Sequence, residues 1–148
     1  MSKSSVESIR SQIQNTFDQL NKRNLAILDE RFSPNLIVHS PMGTDIRGLK
    51  AYKEYFNQTL ATFPDIHYAL VDVMVDEDRS LTRYTWTGTH KGKLGATSGN
   101  VAPTGKKVTM TVYSIARYEA GKVAEQWSMS NRLSFYQQLG VTPTLDMR

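Results

Sequence analysis

The chain has 148 residues, of which 39% are hydrophobic and 22% are charged, a composition typical of one folded globular domain. It contains no cysteine, which excludes disulfides, thiolate nucleophiles and cysteine-based zinc sites. The net charge is +4, but the basic residues are spread out, with no cluster larger than an adjacent pair such as Lys106-Lys107. This pattern predicts no nucleic-acid partner and leaves open the attraction of an acidic small molecule.

The sequence shows no targeting or membrane signal. Its start, MSKSSVESIRSQIQ, lacks the apolar run of a signal peptide. No stretch approaches the ~20 apolar residues of a membrane span. We therefore expect a soluble, cytoplasmic protein without a membrane partner, folded as one domain over residues 1–148.

Three helices are predicted in the first half of the chain. Apolar residues recur three or four positions apart over residues 6–20, as on one face of an amphipathic helix. A shorter helix over residues 25–32 ends at Ser33-Pro34, and a short strand follows at 36–39. The third helix follows Gly48, and Pro64-Asp65 ends it.

The period then changes from 3.6 to 2, which predicts strands. Residues 66–76 and 80–90 form the first two, and Tyr84, Trp86 and His90 share one side of the second. Residues 91–105 hold four glycines and form a loop. Strands are predicted at 107–118 and 123–131, and a short helix at 132–139 ends at Gly140.

Helices followed by strands predict an α+β fold. We expect a curved antiparallel sheet with the three N-terminal helices on one face, forming a cone. Its concave side would make a central pocket for a small molecule.

Several short motifs, in order over about residues 6–141, resemble the SnoaL-like polyketide cyclase family, within the nuclear transport factor 2-like superfamily. The matching motifs are Val38-His39-Ser40-Pro41, Arg47-Gly48, Phe63-Pro64-Asp65, Trp86-Thr87-Gly88-Thr89-His90, Pro103-Thr104-Gly105-Lys106, Gly121-Lys122-Val123, Glu125-x-Trp127 and Gln138-Leu139-Gly140. Each motif is weak alone, and together they are specific. The loop at 93–102 is a few residues longer than the family's usual loop.

This resemblance implies a homo-oligomer, here a homodimer through the open face of the sheet, with a hydrophobic pocket. It also implies ring closure of a polyketide by intramolecular aldol condensation, with no metal and no organic cofactor. The characterised cyclases use an Asp acid/base on the last strand and a His on the strand before it. Aligned on Gly121-Lys122, these positions hold Ser128 and Ser114, and Asn131 stands where many relatives have another Asp.

The chain thus resembles a cyclase that lacks its acid. Enolisation needs a base that titrates near the working pH, and neither Ser nor Asn can be tuned to do so. The remaining catalytic candidates are His39 or His90 as base and Asn131 as oxyanion donor. Structural roles for both histidines stay open. The carboxylate candidates are Asp45, Asp72 and Glu125; Asp45 is interpreted as a turn residue, and Glu125 is assigned no role.

The expected ligand is a small hydrophobic or aromatic molecule. Aromatic side chains could stack on it or belong to the core, and the serines could contact it. The candidate ligand-binding residues are Phe17, Tyr55, Tyr84, Trp86, Ser114, Trp127 and Ser128. Two functions remain open: a cofactor-independent cyclase or isomerase acting on a hydrophobic carbonyl compound, and a non-catalytic binding protein. Dehydration or epoxide hydrolysis would need carboxylate or histidine pairs that the sequence does not clearly show.

Overall fold

The structure, a computed structural model, describes residues 3–94 and 101–141. Helices dominate the first half and strands the second. In chain order the elements are α1 (Lys3–Asn21), α2 (Ile27–Arg31), β1 (Phe32–His39), β2 (Asp45–Arg47), α3 (Leu49–Thr62), β3 (His67–Asp76), β4 (Arg79–Thr89), β5 (Lys107–Glu119), β6 (Lys122–Ser130) and α4 (Arg132–Leu139).

The six strands form one curved, open sheet with the order β2-β1-β6-β5-β4-β3. Successive side chains of a strand point to opposite faces, so burial alternates where one face is covered. In β5 this alternation is nearly perfect: Val108, Met110, Val112 and Ser114 are buried, whereas the residues between them are exposed. These buried residues define the inner face of the sheet.

Two clusters of apolar side chains pack on that inner face. One joins Leu20 of α1, Leu28 of α2 and Phe56 of α3 to β1. The other joins Phe63, Val108 and Phe135. Gly140 ends α4 in the left-handed conformation, with φ of 75°, and its N–H bonds the carbonyls of Tyr136 and Gln137.

The predicted α+β class with a curved sheet and three N-terminal helices is confirmed. Three details differ. The strand predicted at 36–39 already begins at Phe32, the three-residue β2 was not predicted, and β1 pairs with β6 in parallel whereas the other pairs are antiparallel. The β1–β6 pair joins segments that are far apart in the sequence, so no local pattern predicts it.

Among the described residues, no helix is long and apolar enough to cross a membrane. Residues 95–100 of the loop predicted at 91–105 lie outside the described residues. The flanking parts meet, because the Leu94 N–H donates to the Val101 carbonyl at 3.0 Å.

Candidate functional site

A cavity of about 870 Å³ lies between the inner face of the sheet and the helices. This volume falls within the roughly 300–1,000 Å³ typical of ligand pockets. Members of both apolar clusters line it, so much of its wall is hydrophobic. Several lining residues on β2 and α3, such as Arg47, Glu54 and Tyr55, are also exposed, so the cavity opens to solvent on this side.

A row of polar side chains crosses the apolar wall of the cavity. The Gln126 Nε2 donates to the Tyr52 hydroxyl at 3.3 Å and to the Ser128 Oγ at 3.2 Å. The Ser128 Oγ lies 3.2 Å from the Ser114 Oγ, because these residues are direct partners in the β5–β6 ladder. Strand alternation places both serines and Gln126 on the inner face. We call Tyr52, Gln126, Ser128 and Ser114 the polar row.

The polar row can form hydrogen bonds, but its groups are poor bases. Burial raises the pKa of Tyr52, and burial likewise raises the pKa of Tyr84 well above the usual value of a phenol. Both phenols are therefore protonated at neutral pH. Serine hydroxyls and a carboxamide do not titrate in this range. The row can thus bind a carbonyl oxygen or stabilise an oxyanion, and it cannot take a proton from carbon.

Aromatic side chains form one wall of the cavity. Phe17 of α1 packs on Tyr84, with ring centroids 4.8 Å apart, and Trp86 packs on Phe63 at 5.0 Å. Of the seven predicted ligand-binding residues, six line the cavity: Phe17, Tyr55, Tyr84, Trp86, Ser114 and Ser128. Ligand contact at these positions remains a prediction.

Trp127, the seventh, is absent from the cavity lining and lies on the outer face of the sheet. His39 stands beside it, since His39 and Trp127 are partners in the β1–β6 ladder and their rings stack at 5.5 Å. The His39 Nδ1 lies 2.9 Å from the Asp45 Oδ1, and its Nε2 lies 2.8 Å from the Glu125 Oε2. His39 thus joins β1, β2 and β6 on the side opposite the cavity.

The two carboxylates change the titration of His39. The hydrogen bonds that the imidazole donates to Glu125 and then to Asp45 raise its pKa. In return, His39 and then Arg117 lower the pKa of Glu125. We call His39, Asp45, Glu125 and Arg117 the outer charged cluster. Catalysis by His39 remains a prediction, and it would have to act through Asp45, which also lines the cavity.

His90 is fully buried at the end of β4 and does not line the cavity. Its Nδ1 lies 2.9 Å from the Thr104 Oγ1 and accepts the Thr104 N–H at 3.1 Å. Burial lowers the pKa of His90, so the ring is neutral at pH 7. These contacts hold Thr104 to the end of β4, and a catalytic role for His90 remains a prediction.

Asn131 begins α4 instead of ending β6. Its Oδ1 accepts the Ser134 N–H at 3.0 Å, which makes it the N-cap of the helix. It lies in a small surface depression with Tyr113 and Met129, not in the cavity lining. The proposed oxyanion role of Asn131 therefore gains no support from its position.

Charged residues line the cavity mainly where it meets solvent. The cations are Arg31, Arg47, Lys93 and Arg132, and the carboxylates are Asp45 and Glu54. Asp45 is held by His39 and by Arg47, whose Nη2 lies 3.2 Å from its Oδ2. No histidine appears among the described lining residues, and both lining carboxylates are exposed.

No role was predicted from the sequence for four groups that the structure places in the cavity wall or beside His39: Gln126, the hydroxyl of Tyr52, Glu125 and Arg132. For Gln126 a signal was available, because it alternates with Ser128 and Ser130 on one strand face. For Glu125 the sequence offered no local signal, since its partner His39 is 86 positions away.

Comparisons with known proteins identify a matching family and similar folds. A family model described as SnoaL-like polyketide cyclase matches residues 11–139. The structure is similar to AclR, a proposed hydroxylase from Streptomyces galilaeus, with TM-score 0.79 and 25% identity over 93% of this chain and 99% of that one. It is also similar to IdmH, a proposed polyketide cyclase from Streptomyces antibioticus, with TM-score 0.74 and 27% identity over 89% and 98%. TsrD from Streptomyces laurentii, at 20% identity, TM-score 0.79 and coverage of 95% and 98%, shares the fold. No curated protein matches the sequence.

Proposed function

The chain belongs to the SnoaL-like polyketide cyclase family, and from this premise we propose that it binds a small hydrophobic carbonyl compound in its cavity. The observation that carries the proposal is the polar row set among the apolar side chains of a cavity of about 870 Å³, whose charged residues lie mainly where it meets solvent. Aromatic and aliphatic walls bind the body of such a molecule, and the Tyr52 hydroxyl, which accepts from Gln126, donates its own O–H to the carbonyl oxygen. Few, well-placed polar groups in an apolar pocket are typical of small-molecule sites.

Binding without turnover agrees best with the chemistry of the cavity walls. A base that removes a proton next to a carbonyl must reach it and must titrate near the working pH. The polar row offers neither a carboxylate nor an imidazole, and the two predicted histidines lie outside the cavity lining. The family's usual acid position, which resemblance places at Ser128, carries a hydroxyl. A role in carriage or sensing is therefore our first reading.

The binding proposal can be tested by filling the cavity. Ala116 lies on the inner face of β5 and lines the cavity, so Ala116→Phe places a ring in the empty space. Thr111→Phe is the matched control, because Thr111 is exposed on the outer face of the same strand. Calorimetry with 2-acetonaphthone should show binding to the wild type and to Thr111→Phe, and loss in Ala116→Phe. Equal binding by all three proteins, or none by the wild type, would refute the proposal.

Cyclisation by acid/base chemistry is the second candidate, and one observation favours it. Asp45 lines the cavity and contacts His39, which gives a carboxylate–imidazole pair at the opening. Under this reading Asp45 takes the α-proton and the polar row stabilises the enolate. The enolate carbon then attacks a second carbonyl, and the protonated Asp45 returns its proton to the resulting alkoxide, which gives the aldol hydroxyl. Asp45→Asn would then abolish turnover while leaving ligand affinity within about threefold. Asp45 is exposed and is already engaged by both Arg47 and His39, which places this reading second.

Replacing Ser128 by Asp separates the two readings further. A carboxylate there would lie beside Gln126 and Ser114 in an apolar wall, and desolvation would raise its pKa toward neutrality. Ser128→Asp should therefore accelerate α-proton exchange of a bound ketone by about 10²-fold or more over the wild type. Ser128→Asn, of equal size, is the control. Exchange that is already fast in the wild type would support the cyclase.

The outer face of the sheet supports the proposal of a homodimer. Met74, Leu81, Ile115 and Trp127 form one cross-strand row there, with Met129 nearby, and Met74 and Met129 are each 65% exposed. An exposed apolar surface of this kind usually marks an interface. We propose a second copy of the chain as its partner. Sedimentation should give a dimer for the wild type and a monomer for Ile115→Glu; a wild-type monomer at micromolar concentration would refute this.

A further inference from the structure

We propose that Arg132 binds a carboxylate group of the ligand, so that the compound held in the cavity is a hydrophobic acid. This inference rests on the proposed function, because it assumes that the cavity is the binding site. Arg132 is the first residue of α4, directly after the N-cap Asn131, and its side chain lines the cavity.

The first argument is the unsatisfied hydrogen-bonding capacity of Arg132. Its Nε is buried and has no hydrogen-bond partner among the residues that the structure describes. The guanidinium forms no ion pair within residues 3–94 and 101–141 either, in contrast to Arg47, Arg83 and Arg117. A buried cationic N–H without a partner is costly, and a ligand oxygen would remove that cost.

The second argument is that the guanidinium is held in place. Its Cζ lies 4.3 Å from the ring centroid of Phe135 and 5.6 Å from that of Tyr136. Phe135 itself is buried and lines the cavity. Stacking on aromatic faces stabilises a guanidinium and fixes its plane, while its N–H groups stay available at the edge. Less conformational entropy is lost when a pre-oriented guanidinium binds a ligand.

The third argument is the balance of charge around the cavity. Four cations line it against two carboxylates, and one of these carboxylates, Asp45, is already paired with Arg47. The charge around the cavity therefore favours an anion over a cation of the same shape.

Arg132 is thus a specificity-determining residue. A guanidinium matches the two oxygens of a carboxylate with two parallel, charge-assisted N–H···O bonds, whereas a ketone offers a single uncharged oxygen. Charge-assisted bonds contribute about 1.5–3 kcal/mol each, and 1.4 kcal/mol corresponds to a tenfold change in affinity. The cavity should therefore prefer an acid over a neutral molecule of the same size by about 10- to 100-fold.

The test compares 2-naphthoate with 2-acetonaphthone, which share a ring system and differ in charge. Calorimetry at low salt should show the wild type binding naphthoate at least tenfold more tightly. Arg132→Gln should lose this preference and bind acetonaphthone within threefold of the wild type. Arg132→Lys should keep part of the preference. Lys50→Gln, an exposed charge change on α3 outside the cavity lining, should behave as the wild type.

The possible failures are distinguishable. If the wild type binds neither probe, the proposed function fails and Arg132 fails with it. If the wild type binds both probes equally, or if Arg132→Gln keeps the preference for naphthoate, the inference is wrong while the proposed function stands. If Arg31→Gln, and not Arg132→Gln, loses the preference, the wrong arginine has been assigned. If Arg132→Gln binds neither probe because the cavity is disturbed, Arg132→Lys decides: retained acetonaphthone binding with reduced naphthoate binding supports the inference, and unreduced naphthoate binding overturns it.

Discussion

The polar row predicts a measurable cost for removing Gln126. The substitution Gln126→Leu keeps a similar volume and deletes the carboxamide that donates to Tyr52 at 3.3 Å and to Ser128 at 3.2 Å. Tyr52 is only 6% exposed, so its hydroxyl loses its partner in a buried setting. A net hydrogen bond contributes about 0.5–1.5 kcal/mol, and both bonds are long, so we expect a loss of about 1–2 kcal/mol.

This loss can be measured by urea and thermal unfolding. For a chain of this length, about 1–2 kcal/mol corresponds to a melting temperature lower by about 2–8 °C. Gln58→Leu is the matched control, because Gln58 is exposed on α3 and bonds only Glu54, at 3.5 Å. It should change stability by less than about 0.5 kcal/mol.

A double-mutant cycle with Tyr52→Phe isolates the Gln126–Tyr52 bond. We expect a coupling energy of about 0.5–1 kcal/mol. Two results would refute the reasoning: a Gln126→Leu protein as stable as the wild type, or a coupling energy indistinguishable from zero. Either would mean that the polar row is not formed in solution.

The remaining predictions concern the outer charged cluster and the hydrophobic core. Because Glu125 and Asp45 raise the pKa of His39 above 6.5, its stabilising effect is fully present below pH 6.5 and is lost as the pH rises through the higher folded value. His39 also lowers the pKa of Glu125 below 4.5, so the stabilisation from the Glu125 carboxylate is present above pH 4.5 and is lost in more acidic solution. The substitution His39→Gln should therefore lower the free energy of unfolding most between pH 4.5 and 6.5, as measured by urea unfolding. A loss that does not depend on pH would contradict this. Arg47 and Arg79 also face the outer charged cluster, to which Arg117 belongs. Salt screens the attraction of Asp45 and Glu125 for the protonated His39, so the upper end of the pH window should move down at high salt. Phe135 is 2% exposed, so Phe135→Ala should lower the free energy of unfolding by about 3–5 kcal/mol. Leu133 is 56% exposed, so Leu133→Ala should lower it by less than about 0.5 kcal/mol. Equal losses would mean that Phe135 is not part of the core.

The elements with a regular period could be predicted from the sequence. The alternation of β5 and the apolar face of α1 are local patterns, and each reflects one covered side of its element. The short β2 carries no such pattern, because three residues cannot show a period. It forms because β1 continues through a turn at Gly43 and pairs back, with His39 opposite Asp45.

The candidate site was predictable in its walls and not in its polar groups. Tyr84 and Trp86 follow from the alternation of β4, and both line the cavity. His39 could not be assigned to a face, because its side depends on the parallel pairing with β6. Asn131 was read as a strand residue, although the strand ends one position earlier and the side chain caps α4. The face of His39 is decided by partners far apart in sequence, which no local pattern records, whereas the capping contact between Asn131 and Ser134 is local and was missed.

The measurement that tests the central claim most directly is proton NMR of a bound ketone in deuterated buffer. It reports binding through line broadening and base catalysis through loss of the α-proton signal. We expect wild-type protein to bind 2-acetonaphthone, Ala116→Phe not to bind it, and the α-protons to exchange no faster with wild-type protein than without it. Exchange accelerated tenfold or more by the wild type and abolished in Asp45→Asn would contradict the account and establish an acid/base enzyme.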